Sequence, residues 1–234
     1  MKQRTRRRLA RITATAAAAV AVSLGAGTHL HRPAPAAPEP SSTGAVSAPA
    51  SDVATLLAQI PTTATVTAVD GYDRSCANGH RCVFGPAWNS PLDHSGCDTK
   101  SRVLSAQLHD VQYKPGTHDC KVVAGWVDDP YTGTRITLHD ISIDHVVPLR
   151  YAWDAGAWQW TPRQRAIFAN DPDNLLAVSA HENSSKQDDS LAQWLPPVGQ
   201  CGYVLRFLAV AAKYQLAMAP ADRDAAAVAC TARA

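Results

Sequence analysis

All six cysteines of this 234-residue chain lie at or beyond position 76: Cys76, Cys82, Cys97, Cys120, Cys201 and Cys230. No other feature limits the fold as strongly. Ahead of them is a segment that reads as an export signal. Residues 1–11 are strongly basic, and residues 12–26 are apolar or small and uncharged. That run is shorter than the roughly 20 apolar residues a spanning helix needs, which suits a cleaved signal peptide over residues 1–27. An uncleaved N-terminal anchor is the alternative. An even number of cysteines in an exported chain implies disulfides. The connectivity stays open, and the sequential pairing Cys76–Cys82, Cys97–Cys120, Cys201–Cys230 is favoured. A zinc site at Cys76, His80 and Cys82 is the rival, but the C-x5-C spacing lacks the two-residue knuckle of structural zinc sites.

Residues 28–50 carry Pro33, Pro35, Pro38, Pro40 and Pro49 among Ala, Ser and Thr, the composition of an extended linker. Residues 51–234 remain as one domain, long enough to bury a core. The net charge of +2 hides an asymmetry: residues 1–27 hold six basic and no acidic side chains, so the remainder is −4. Such a domain does not draw in a polyanion through a broad positive field. Binding one requires a local basic patch or a metal ion.

The pattern predicts an α+β fold. Asp52 can cap a helix over residues 53–60, which Pro61 ends. Residues 62–69 are β-branched and extended, and residues 71–97 are loop-rich. Asp98 can cap a second helix, over residues 99–110, with Val103, Leu104 and Leu108 on one face. Residues 111–113 and 120–126 read as strands around a Lys114-Pro115-Gly116-Thr117 turn. A turn at Asp129-Pro130-Tyr131-Thr132-Gly133 leads to a strand at 135–138, and this hairpin is expected to carry the Asp144-His145 pair. Residues 203–216 form an apolar helix that packs on the core and leads to Cys230.

The chemistry concentrates between residues 143 and 186. His145 can act as a general base, since its unperturbed pKa is close to neutral. Asp144 faces the other way on an extended strand. Its carboxylate and the side-chain carbonyl of Asn183 can ligate a hard divalent cation. Asn174 falls in the connecting loop, where it can brace His145 or the loop itself. Lys186 shares the Asn183 face of a helix and is either a phosphate contact or a surface lysine. Arg150, Arg163 and Arg165 are candidates for a local basic patch. His181 and His139 are weaker candidates near the site, and His80, His94, His109 and His118 read as loop or surface residues. Trp153, Trp158 and Trp160 fit core packing better than base stacking. No H-E-x-x-H is present, which argues against a zinc peptidase.

Asp144-His145-Val146-Val147-Pro148, then Asn174-Leu175-Leu176, then Asn183-Ser184-Ser185-Lys186 resembles the HNH (ββα-metal) endonuclease superfamily. Cys97-Asp98-Thr99, Lys114-Pro115-Gly116-Thr117, Asp129-Pro130-Tyr131-Thr132-Gly133, Trp160-Thr161-Pro162 and Trp194-Leu195-Pro196-Pro197 are similar to exported HNH proteins related to the C-terminal module of GmrSD restriction enzymes. The Cys76–Cys82 segment is an insertion relative to that pattern. The resemblance implies a ββα-metal core with flanking helices and short strands, stapled by disulfides. It further implies a secreted, metal-dependent endonuclease acting on DNA or RNA, with double-stranded DNA the favoured substrate. In that reading His145 and Asn174 are catalytic, Asp144 and Asn183 hold Mg²⁺ (Mn²⁺, Ca²⁺ and Zn²⁺ also being compatible), and Lys186 and Arg150 contact substrate. The protein is expected to act as a monomer without a stable protein partner. The alternative is a catalytically silent secreted binding module on the same fold.

Overall fold

Residues 48–231 are described by the computed structural model. The expected signal peptide or anchor, and residues 28–47 of the expected linker, lie outside the described residues. Helix α1 (Ala48–Gln59) begins inside the expected linker, so Asp52 sits within the helix rather than capping it. Residues 62–69 form no strand; Thr62 makes only an isolated bridge to Met218.

Asp98 caps α2 (Thr99–Gln107) as expected, its Oδ1 accepting from the Ser101 N–H at 2.6 Å. The helix stops short of Asp110, whose φ of +50° is incompatible with helix. Strand β1 (His109–Tyr113) pairs antiparallel with β2 (Val122–Asp128), and β2 with β3 (Arg135–Thr137).

The expected site hairpin is a correction. A 3-10 turn at Leu138–Asp140 redirects the chain after β3. Strand β4 (Ile141–His145) pairs instead with β5 (Leu175–Ser179), antiparallel, with Asp144 opposite Leu176 and His145 opposite Leu175. Helix α5 (Ala180–Lys186) follows β5 directly and is capped by the Ser179 hydroxyl. The order in this unit is strand, strand, helix. Its two strands are joined by a long connection holding α3 (Leu149–Asp154) and α4 (Pro162–Ala169). Thr161 and Gln164 close a capping box at the start of α4.

Two apolar clusters hold these layers. The larger gathers Val146, Val147, Tyr151, Trp153 and Phe168 with Tyr203, Val204, Phe207 and Leu208 of α6 (Gln200–Tyr214). α1 and α7 (Pro220–Thr231) pack on α6, contributing Val53 and Ala226. The smaller sets Ile143, Leu175 and Ala177 against Val103, Leu104, Leu108 and Val122. Trp153 and Trp160 pack on aromatic neighbours, Phe84 and Phe168 respectively, whereas Trp158 is 48% exposed.

The three disulfides follow the sequential pairing, Cys76–Cys82, Cys97–Cys120 and Cys201–Cys230. Cys76 and Cys82 are therefore not zinc ligands, and His80 pairs with Asp73 at 3.1 Å. The fold is α+β and disulfide-stapled. No described helix is long and apolar enough to cross a membrane.

Candidate functional site

His145 ends β4 with 9% of its surface exposed. Its Nε2 lies 2.9 Å from the Ala169 carbonyl oxygen. A carbonyl only accepts, so Nε2 carries the hydrogen and Nδ1 keeps its lone pair. Burial pulls the imidazole pKa down to about 4, against the opposing pull of the Ala169 carbonyl. At neutral pH the ring is therefore uncharged. Trp88 stacks on it with 5.8 Å between centroids and 9° between planes. Ala169 is delivered by the end of α4. That helix is held by Arg165, whose Nε donates to the Val83 carbonyl at 2.6 Å and whose Nη1 donates to the Trp160 carbonyl.

Asp144 occupies the opposite face of β4 and is 3% exposed. Its Oδ2 accepts from the Tyr131 hydroxyl at 2.5 Å and its Oδ1 from the Lys186 ammonium at 2.9 Å. Lys186 is fully buried, and its ammonium also donates to the His145 carbonyl at 2.7 Å. Lys186 is thus neither a surface lysine nor placed to contact a phosphate. The i to i+3 spacing put it on the Asn183 helix, but that stretch of α5 turns inward onto β4.

Asn174 is fully buried. Its Oδ1 accepts from the Val147 N–H at 2.8 Å, its Nδ2 donates to the Val147 carbonyl at 3.2 Å, and its backbone carbonyl accepts from Val146 at 2.9 Å. It braces the loop after His145, not the ring. Asn183 donates from Nδ2 to the Ser142 hydroxyl at 2.9 Å. Ser142 and Asp144 share one strand face, and the Asn183 carbonyl oxygen remains available as a hard ligand.

Of these residues Ser142, Asp144, His145 and Asn183 line an open cleft of about 490 Å³, together with Tyr72, Arg74, Trp88, Arg150 and Asp188, whereas Asn174 and Lys186 lie behind its wall. Arg150 is tied to Asp154 at 2.7 Å, with its guanidinium 5.1 Å from the Tyr72 ring centre. Arg74 is exposed, and its guanidinium has no hydrogen-bond or ion-pair partner among the described residues. Tyr72, Arg74 and Trp88 carry no site expectation in the sequence, and Tyr131 enters it only as part of the Asp129–Gly133 turn motif. An aromatic and a cation two residues apart, just ahead of Cys76, are the available signal for Tyr72 and Arg74. Arg165 is spent on backbone carbonyls, and Arg163 is exposed on α4 away from the cleft. His181 and His139 are exposed and pair with their neighbours Glu182 and Asp140.

Among the described residues no group of three or more His, Cys, Asp or Glu could hold a metal. Of the expected ligands the cleft offers the Asp144 carboxylate and the Asn183 amide oxygen, with the Asp188 carboxylate elsewhere in its wall. A carboxylate has lone pairs beyond those used by Tyr131 and Lys186. This sparse, hard set fits an ion that keeps most of its waters, as Mg²⁺ does, and not a closed zinc site.

Residues 98–218 match the family model described as GmrSD restriction endonucleases, C-terminal domain. An uncharacterized secreted protein of Arthroderma benhamiae is 37% identical over 134 residues, covering 55% of this chain and 64% of that protein. The chain thus spans slightly less than two thirds of this relative. No solved structure matches. The family span includes Asp144, His145, Asn174 and Asn183, whereas Tyr72, Arg74 and Trp88 precede it. With half the chain matched, from the start of α2 through the whole strand-strand-helix unit, this protein belongs to the family of the C-terminal domain of GmrSD restriction endonucleases.

Proposed function

We propose that this protein is a secreted, metal-dependent endonuclease that hydrolyses phosphodiester bonds of DNA, with His145 as general base. The observation that carries the reading is the His145 Nε2–H bond to Ala169, which leaves Nδ1 unprotonated on a residue of the cleft wall. In the reaction a water attacks phosphorus, Nδ1 takes its proton, and the 3′ or 5′ oxygen leaves. A divalent cation, when bound, supplies neutralising charge to the phosphate and leaving oxygen. Asp144 and Asn183 are the residues that hold it. Arg74 and Arg150 grip the phosphates on either side, which supplies the local positive charge that the domain as a whole lacks. Asn174 and Lys186 act indirectly, by fixing the loop and strand that carry His145 and Asp144. The chain order β4, β5, α5 supports a ββα-metal core. Secretion is supported by the export-like leader, the disulfides, and a relative named as secreted.

A silent binding module on the same fold is the second reading. It draws on Asp144 being already neutralised by Lys186. Plasmid cleavage by the purified chain separates the two. The nuclease reading expects nicking with Mg²⁺ that EDTA stops and that His145→Ala abolishes with unchanged circular dichroism. Undiminished cleavage by His145→Ala removes His145 as base. Absence of cleavage of DNA and RNA with every divalent ion tried favours the binding module.

A further inference from the structure

Beside the cleft lies a second, smaller and more apolar pocket of about 150 Å³. We infer that it is a subsite for one unpaired nucleobase next to the scissile phosphate. The inference deepens the nuclease reading and rests on it for the identity of the substrate.

Continuity comes first. Arg74, Trp88 and His145 line both the pocket and the cleft. A phosphate held by Arg74 at the junction therefore puts its own base within reach of the pocket. The walls suit a flat ring: Phe84 is 2% exposed and Trp88 presents an indole. Aromatic side chains of this kind stack on bases whatever their sequence.

One residue of the pocket wall also carries an unused polar atom. Asn170, one of its lining residues, is 4% exposed. Its Nδ2 donates to the Ala166 carbonyl at 2.9 Å and to the Asn89 carbonyl at 3.4 Å, which fixes the orientation of the amide. Its Oδ1 is buried and has no hydrogen-bond partner among the described residues. Buried polar atoms are rarely left unpaired. A small turn of the Asn170 amide brings this acceptor to the edge of the aromatic slot, where it would pair with a planar ligand carrying an N–H on its edge, and the nucleobases meet that description.

The backbone points the same way. Trp88 has φ +61°, an uncommon and strained conformation for a bulky residue. The Trp88 carbonyl accepts from the Thr99 N–H at 2.9 Å at the start of α2. That bond holds the indole where it contacts His145 on one side of the junction and the pocket on the other.

The test is equilibrium binding to the purified chain in EDTA, followed by tryptophan fluorescence. Adenosine 5′-monophosphate, purine riboside 5′-monophosphate (which lacks the exocyclic amine) and ribose 5-phosphate are the probes. The adenine nucleotide is expected to bind at least about tenfold tighter than ribose 5-phosphate, and several-fold tighter than the purine riboside nucleotide. Ala87 lines the pocket but not the cleft, so Ala87→Phe should erase the preference for a base and keep the weak ribose 5-phosphate binding. Asn170→Ser should erase only the preference for the amine. Equal affinity for adenosine 5′-monophosphate and ribose 5-phosphate overturns the subsite, as does a base preference that survives Ala87→Phe. Because binding needs no turnover, a base preference in a protein that cleaves nothing sustains the subsite and removes the nuclease reading. Cleavage without any base preference does the reverse.

Discussion

The Lys186 ammonium lies 2.9 Å from Asp144 Oδ1, with 0% and 4% of the two side chains exposed. The carboxylate proposed above as a cation ligand thus already has a cation beside it. The pair is close to neutral as a unit, so Asp144 brings little surplus charge to a metal. Under the proposed function, a cation is therefore retained by the Asn183 oxygen and a substrate phosphate as well. The burial also explains how a strand end keeps a charged residue in place: Lys186 bridges Asp144 and the His145 carbonyl, joining α5 to the end of β4.

Replacing one partner leaves the other as an uncompensated buried charge. Lys186→Met is expected to cost about 3–5 kcal/mol of stability, read from urea unfolding with far-UV circular dichroism. Adding Asp144→Asn to that variant should recover part of the loss. A single-variant cost below about 1 kcal/mol, the range of surface pairs, would contradict the coupling.

The metal-free protein should lose stability in mild acid through His145. The folded imidazole has a pKa of about 4 against 6.5 for an unperturbed histidine. Between those values the unfolded chain takes up a proton that the folded one refuses. The contribution is therefore fully present above pH 6.5 and is lost as pH falls toward 4, on the order of 3 kcal/mol in all. Urea midpoints in EDTA at pH 7 and pH 4.5 measure it. His145→Gln should flatten the difference, and an equal pH dependence in both proteins would refute this assignment.

Arg74→Ala is expected to raise KM about tenfold with a smaller change in kcat, and to make cleavage less salt-sensitive, because one charge-assisted phosphate contact is lost. Arg163→Ala, exposed on α4 and outside the cleft, serves as the control. Matching effects of the two variants would indicate a diffuse field and not a specific grip.

Cys97→Ser with Cys120→Ser should lower stability by about 3 kcal/mol, as expected for opening a loop of this size. The bond anchors the start of α2, to which the Trp88 carbonyl is hydrogen-bonded. Differential scanning calorimetry gives the loss, and an unchanged Tm would mean that the bond constrains nothing outside itself.

Local rules were enough for several elements. Asp98 caps its helix because a short acidic side chain satisfies free N–H groups wherever such a turn begins. The apolar run at 203–216 could hardly avoid becoming a buried helix, although the following α7 has too weak a pattern to be noticed. The partner of β4 was not legible. Arg135 to Thr137 and Leu175 to Ser179 are equally good strands by composition, and the choice between them is made by the 3-10 turn and by burial of Ile143, Leu175 and Ala177 together. Lys186 failed for a related reason: helical spacing says which side chains share a face, not whether that face meets water. Asn174 was legible as a brace, but its target, Val147, depends on a pairing 27 residues apart. Tyr131 belongs to a turn motif that pointed to local geometry alone, while its hydroxyl reaches across to Asp144.

The loop carrying Tyr72, Arg74 and Trp88 contains its own seven-residue disulfide ring, and it is seated on the body by Val83 and Phe84 in the main core, by Trp88 against His145 and by backbone bonds at Val83 and Trp88. It lies wholly ahead of the span that matches the family. In the proposed reading the strand pair supplies the reacting groups and this loop selects what is brought to them, with Phe84 and Trp88 tying the one to the other. Exchanging residues 71–97 between members of the family is therefore a route to retargeting only where the seats of Phe84 and Trp88 are exchanged with them.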